Sequence, residues 1–166
     1  LKHVFDVGRH GISHVISAEY GLARPGELIV NCDSHTCASG ALNCAGRGSG
    51  ALDALQAMTQ GLVWYPVSPT VRYEFKGELN PFVAGKDVLF YIAQTYGSHV
   101  NQNVEFGGKG LLALPMNERR TIATMCAEIG ADFAVFEYDA ITEEYLKGRL
   151  DRPATPVAPD ADATYV

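Results

Sequence analysis

The order of apolar and polar positions divides the chain into alternating strands and helices. Residues 27–31 carry the run Leu28-Ile29-Val30 behind the turn Arg24-Pro25-Gly26 and read as a strand. Ser49-Gly50 opens a helical stretch from Ala51 to Gln60. Its apolar residues Ala51, Leu52, Leu55 and Met58 recur at spacings of three and four, and Gly61 is placed to stop it. Pro66 and Pro69, with Ser68 between them, break the pattern and mark a boundary. Beyond it, "TVRYEF" alternates Val71, Tyr73 and Phe75 with Arg72, Glu74 and Lys76, the signature of a half-buried strand. "GKDVLFYIAQTYG" sets Val88, Leu89, Ile92, Ala93 and Tyr96 on one helical stripe that ends at Gly97.

"NERRTIATMCAEIG" repeats the device, with Asn117 as the cap, Ile122, Met125, Cys126 and Ile129 as the stripe, and Gly130 as the stop. Thr124 and Glu128 are four residues apart and share a second face, roughly 100–145° from the apolar centre. "DFAVFEY" reads as a strand and "TEEYLKGR" as a short helix. Residues 151–166, rich in Pro, Ala and Asp, read as a linker or tail. Strands alternating with helices predict an α/β architecture.

Composition narrows the class. With 47% hydrophobic residues in 166, the chain can bury a core in one domain, or one and a half. A net charge of −6 without a basic run argues against a nucleic-acid partner. No apolar run reaches the roughly 18 residues of a membrane span, and no signal peptide is expected. Cys32, Cys37, Cys44 and Cys126 lack the density of a disulfide scaffold, so a reducing, cytoplasmic compartment is expected. The chain opens on Leu1 rather than Met and reads as a piece of something longer.

Three chemistries compete for "IVNCDSHTCASGA", residues 29–41, and its neighbours. Cys32, His35, Cys37 and Cys44 are possible zinc ligands, but their spacing matches no common zinc site, and free cysteines are often simply buried. "GRGSGA", Gly46 to Ala51, fits G-x-G-x-x-A and opens a helix that could hold a phosphate. No clear strand ends before it, however, and Pro66 and Val67 stand where an acid is needed about 20 residues on. Glycines that let backbones approach closely explain it as well. The third chemistry is acid/base work by His14, Asp33, His35 and Glu128, since a carboxylate beside a histidine fixes its tautomer and raises its basicity. Singly, each has a plain structural explanation: a core histidine, turn residues Asp33 and Ser34, a solvated glutamate.

Together these residues resemble a known family. "GISHVISAEYGLARPGELIVNCDSHTCASGA" is similar to the large subunits of aconitase, 3-isopropylmalate dehydratase and homoaconitase, whose mark is G-[IV]-x-H, a P-G turn and a strand leading into D-S-H-T. "VRYEFKGEL", "GKDVLFYIAQTYG", "VEFGG" and "RRTIATMCAEIGADFAVFEYDAITEEYLKGR" continue the resemblance in order over roughly residues 8–150. The form D-S-H-T-C, with Cys37, resembles the isopropylmalate and homoaconitate branch. The resemblance implies a hydro-lyase that shifts the hydroxyl of a 2- or 3-hydroxy di- or tricarboxylic acid, using a 4Fe–4S cluster.

The same resemblance implies that His14 pairs with Asp33, His35 pairs with Glu128, Ser34 contacts a substrate carboxylate, and Thr124 is a polar residue near the cluster. It implies parts of two consecutive α/β domains: 1–66 the end of a first domain, 67–150 a second, 151–166 a linker or tail. Partners would be the small hydroxy-carboxylate substrate and the remaining domains or a small swivelling subunit.

Two positions depart from the family pattern. Thr124 stands where asparagine is common, and Cys126 where a small residue is. The family's cluster cysteines, in S-C-T-N and a later C-x-x-C, do not occur in this sequence, nor do its substrate-gripping arginines. This stretch is therefore expected to hold no metal and, alone, to be inactive. The competing readings are a non-catalytic carboxylate- or partner-binding module of the same fold, and a nucleotide-binding domain using Gly46–Ala51.

Overall fold

The computed structural model describes residues 3–166; Leu1 and Lys2, which open the first expected segment, lie outside them. The order is α1 (Ser13–Glu19), β1 (Leu28–Asn31), a 3₁₀ run (Ser34–Leu42), β2 (Ala45–Gly48), α2 (Ala51–Gln60), β3 (Thr70–Glu74), α3 (Gly85–Tyr96), β4 (Asn103–Gly107), a 3₁₀ turn (Lys109–Ala113), α4 (Met116–Met125), a 3₁₀ turn (Cys126–Ile129), β5 (Ala134–Phe136) and α5 (Ala140–Leu146). β1 and β2 form a parallel pair in register Leu28↔Ala45 to Asn31↔Gly48. β3, β4 and β5 form a second parallel sheet with β4 in the middle. Parallel neighbours need crossovers. Helices α3 and α4 supply them in the second sheet, and the 3₁₀ run supplies the one between β1 and β2. The expected α/β architecture is present.

Several expectations change. The strand of residues 27–31, the helix 51–60 and its stop at Gly61 are found as read. The third long helix is not continuous: α4 ends at Met125 and tightens into the 3₁₀ turn Cys126–Ile129 before Gly130. Asn117 does not cap it. Pro115 occupies that position, with φ preset for a helix start, and the Asn117 amide donates instead to Glu118 Oε1 at 2.9 Å. The apolar stripe of α2 is not buried. Leu52 is 82% exposed and Met58 75%, because among the described residues no layer covers that face. The pattern did not reveal α1, the 3₁₀ run 34–42, strand β2, strand β4 or the 3₁₀ turn 109–113. β2 is half glycine and carries no apolar alternation.

One apolar core runs through both sheets. It joins Leu42 and Ala41 of the 3₁₀ run to Val104, Phe106, Phe136, Ile122 and Leu89 of the second sheet and its helices. Phe106 and Phe136 stack at 4.5 Å between ring centroids. The halves approach closely at Gly40. A Cβ there would lie 1.6 Å from the Ala134 carbonyl oxygen at the start of β5, so only glycine lets the two backbones touch.

A buried cation fixes the frame beneath α4. Arg119 is 0% exposed. Its guanidinium donates to both Asp139 carboxylate oxygens (2.8 and 2.6 Å) and to the Leu114 (2.9 Å) and Leu111 (2.5 Å) carbonyls. Leu111 lies in the 3₁₀ turn 109–113 and Leu114 ends it, and Asp139 caps α5 through the Ile141 and Thr142 amides. One side chain thus satisfies groups from three elements, which is what a buried charge needs to be tolerated.

The segment 151–166 lies along the surface of both sheets. Asn43 exchanges hydrogen bonds with the Val157 backbone (2.9 and 3.0 Å), and Val166 N–H donates to Thr70 O (3.0 Å) at the edge of β3.

Gly40→Ala is expected to destabilise the fold by about 2–4 kcal/mol, because a methyl group must displace strand backbone rather than a flexible side chain. Urea unfolding followed by circular dichroism measures this. A loss under about 0.5 kcal/mol would mean that the two halves part without cost.

Candidate active site

Strand β1 stops at Asn31, so Asp33 stands just beyond its carboxyl end, where open α/β sheets collect ligands. Asp33 then caps the 3₁₀ run. Its backbone is extended (φ −117°), and its Oδ1 accepts the His35 N–H at 2.6 Å. Its carbonyl accepts the Thr36 hydroxyl at 2.6 Å. The local fold therefore spends one carboxylate oxygen on the backbone and leaves Oδ2 facing α1.

Helix α1 brings two donors to that oxygen from successive residues. His14 Nδ1 lies 3.2 Å from Asp33 Oδ2, and the Ser13 hydroxyl donates to it at 3.1 Å. An ionised carboxylate only accepts, so Nδ1 of His14 carries the proton of this bond. No protein partner among the described residues takes Nε2. Burial alone would raise the Asp33 carboxyl. The hydrogen bonds from His14, the His35 amide and Ser13 outweigh it and hold the group below the ordinary 3.8.

The second pair forms across the seam between the two halves. His35 Nε2 lies 2.9 Å from Glu128 Oε1, residues 93 apart in sequence. By the same logic Nε2 carries the proton of this bond, and the Ser34 hydroxyl lies 3.3 Å from Nδ1. The rings of His14 and His35 are 5.9 Å apart, so the two pairs make one continuous row from Glu128 to Asp33. The resemblance also implies a partly shielded Glu128, whereas Glu128 lies largely in solvent. Its side chain is 61% exposed, while that of His14 is only 15% exposed. The row runs from solvent at Glu128 inward to His14, because the 3₁₀ turn 126–129 carries Glu128 to the surface.

Of the residues singled out in the sequence, His14, Asp33, Ser34, His35 and Glu128 come together. Thr124 does not reach the row with its hydroxyl, which donates back to the Arg120 carbonyl at 2.6 Å; its own carbonyl accepts the Cys37 thiol at 3.5 Å. Ser13 was missed. It occupies the x of G-I-x-H, and only the first turn of α1 shows that it shares an oxygen with its neighbour. Beside Ser34 lies an open cleft of about 730 Å³ lined by Arg47, Ser49, Asp53 and Trp64 among others.

The glycine stretch Gly46–Ala51 is not a phosphate turn. Gly46 and Gly48 belong to β2, and a Cβ on them would meet the Thr36 carbonyl at 2.1 Å and the Asp33 carbonyl at 2.7 Å. They are small so that the 3₁₀ run can lie against the strand. The Gly50 amide, at the start of α2, is taken by Asp53 Oδ2 at 3.3 Å.

The cysteines do not make a cluster-binding set. Among the described residues no three of His, Cys, Asp and Glu are grouped to hold a metal ion. The Cys37 and Cys44 thiols donate to the carbonyls of Thr124 and Glu27, and burial pushes them up to about 11 and about 12. Burial also raises Cys126 well above the usual thiol range. Thiols held protonated in this way are poor ligands.

Two paired histidines and carboxylates thus stand together beyond the end of a parallel strand of an α/β fold. The chain matches the aconitase family (aconitate hydratase) over residues 2–165 and belongs to it. It is 47% identical over 165 residues to a 3-isopropylmalate dehydratase large subunit from Mycolicibacterium smegmatis, covering 99% of this chain and 39% of that one. It is 40% identical over 167 residues to a protein of the same description from Syntrophus aciditrophicus, with 99% and 40% covered. The chain thus spans about two fifths of the length of the curated relatives it matches.

A carboxyl group whose folded-state pKa is depressed adds stability above its unfolded value, and that stability is lost as pH falls through the folded value. Asp33→Asn should therefore cost about 1–2 kcal/mol at pH 7, where the carboxylate accepts three hydrogen bonds, and progressively less below pH 4. Urea unfolding at pH 7 and pH 3 separates the two. An equal loss at both would show that the charge contributes nothing.

Proposed function

We propose that this chain is part of an aconitase-type hydro-lyase large subunit that acts on a 2- or 3-hydroxy di- or tricarboxylic acid. Isopropylmalate is the first candidate, with homocitrate or homoaconitate and citrate behind it. The observation that carries the reading is the row of two histidine–carboxylate pairs sharing Asp33 as a hinge. Elimination of water removes a proton from one carbon and a hydroxyl from its neighbour, and the reverse step returns both. A site for this needs groups that hold and release protons near neutrality, which histidines do.

On this reading His14 presents Nε2, with its lone pair fixed by the Nδ1–Asp33 bond, to the reacting proton. His35, backed by Glu128, stands at the wet end of the row and exchanges protons with solvent. Ser34 offers its hydroxyl to a substrate carboxylate at the mouth of the cleft, and the backbone around Thr124 supports the loop. The family's 4Fe–4S cluster would be held by residues outside this chain, since the cysteines present do not fit it. The remaining domains and a small swivelling subunit would complete the substrate site. The same reading divides the chain into the end of a first domain at 1–66, a second domain at 67–150 and a linking segment at 151–166. It places the protein in biosynthesis in the cytoplasm.

In the complete large subunit with its small subunit, Glu128→Gln and His14→Ala should each lower kcat for isopropylmalate dehydration about 100-fold or more, with Tm changed by less than about 5 °C. The near-ultraviolet absorbance of the alkene product follows turnover. Unchanged turnover in both variants would overturn the assignment.

A further inference from the structure

We propose that Ser13 is a positioning residue for His14, holding Asp33 Oδ2 from one side while the imidazole holds it from the other. This rests on the reading of His14 and Asp33 as a working pair. Ser13 and His14 are the first two residues of α1, and both reach the same carboxylate oxygen, at 3.1 and 3.2 Å. Nothing else binds the Ser13 side chain to its helix. The cap position before it, Ile12, offers no side-chain hydrogen bond, and it is the Ser13 backbone carbonyl, not its hydroxyl, that accepts from Ser17 at 2.8 Å. The hydroxyl is thus committed to Asp33.

Two consequences follow from sharing one oxygen. First, orientation: with Oδ1 tied to the His35 amide and Oδ2 held by Ser13, the carboxylate cannot rotate, and the His14 ring is aligned by a fixed partner. Second, strength: a hydroxyl donating to a carboxylate spreads its charge and makes it a weaker acceptor for any other donor. Ser13 therefore tempers the pull of Asp33 on the His14 N–H proton. The charged and titratable groups facing His14 are Asp33 from the β1 end and His35, with Glu128 behind it, from the 3₁₀ run and the turn after α4.

The test is a histidine titration by nuclear magnetic resonance on this 166-residue chain, read at the His14 ring. Ser13→Ala should make the His14 imidazolium a weaker acid, lowering its dissociation constant about three- to tenfold. Ser13→Thr, which keeps the hydroxyl, should titrate like the parent. In an Asp33→Asn background, Ser13→Ala should change nothing further. If Ser13→Ala does not fold, Ser13→Cys, a weak donor of similar shape, should give a smaller lowering of the same constant. A His14 titration identical to the parent in the folded variant overturns the proposal, as does a Thr variant that behaves like Ala. Because the readout does not depend on turnover, a shifted titration together with catalysis insensitive to His14→Ala would uphold the positioning and reject the hydro-lyase reading.

Discussion

The contact on which the rest depends is the approach of the Gly40 backbone to the carbonyl of Ala134. It brings the 3₁₀ run from the first half against β5 of the second at a distance no side chain permits. Through that contact Leu42 and Ala41 enter the core of the second sheet, and His35 at the other end of the run comes opposite Glu128. The stacked phenylalanines and the buried Arg119 work on one side of the seam, making β4, β5 and α4 a rigid wall. Gly46 and Gly48 work on the other, letting the run lie flat on β2. Small residues at the seam and large ones behind it form a single design, in which precision comes from backbone contact and stiffness from packing.

Asp33 does for electrostatics what Gly40 does for packing. It ends a strand, caps the run that follows, and supplies the oxygen that α1 reads with two consecutive side chains. A group serving both the backbone and a histidine transmits any shift of the loop directly to the imidazole. That coupling is economical in a site where proton affinity must match the geometry of the reacting atoms.

Much of this was legible in the chain. The strands at 28–31, 70–74 and 134–136 and the helices at 51–60 and 85–96 follow from apolar periodicity, because each buries or presents one face. The histidine–carboxylate pairs were suggested by the resemblance, since residues 93 apart carry no local signal of contact. Other features were not legible. Strand β2 is written in glycine, whose role is to be absent from a crowded place, and periodicity cannot register it. The tightening after Met125 depends on tertiary packing, so apolar periodicity read the run to Gly130 as one continuous helix. The apolar stripe of α2 fixed the helix but said nothing of whether that stripe would be covered.

That last stripe bears on how the chain behaves in bulk solution. A helix showing Leu52, Leu55 and Met58 to water, followed by exposed Leu62 and Trp64, makes the surface sticky over one continuous region. What keeps such particles apart is their mutual repulsion, set by a net charge of −6 and a pI near 5.3. Colloidal stability is therefore tied to pH through the acidic residues and to ionic strength through screening, quite apart from whether each molecule is folded. Mildly acidic, salty conditions remove the repulsion while the folded chain is intact, and the 166 residues would then cluster as native particles through this one helix.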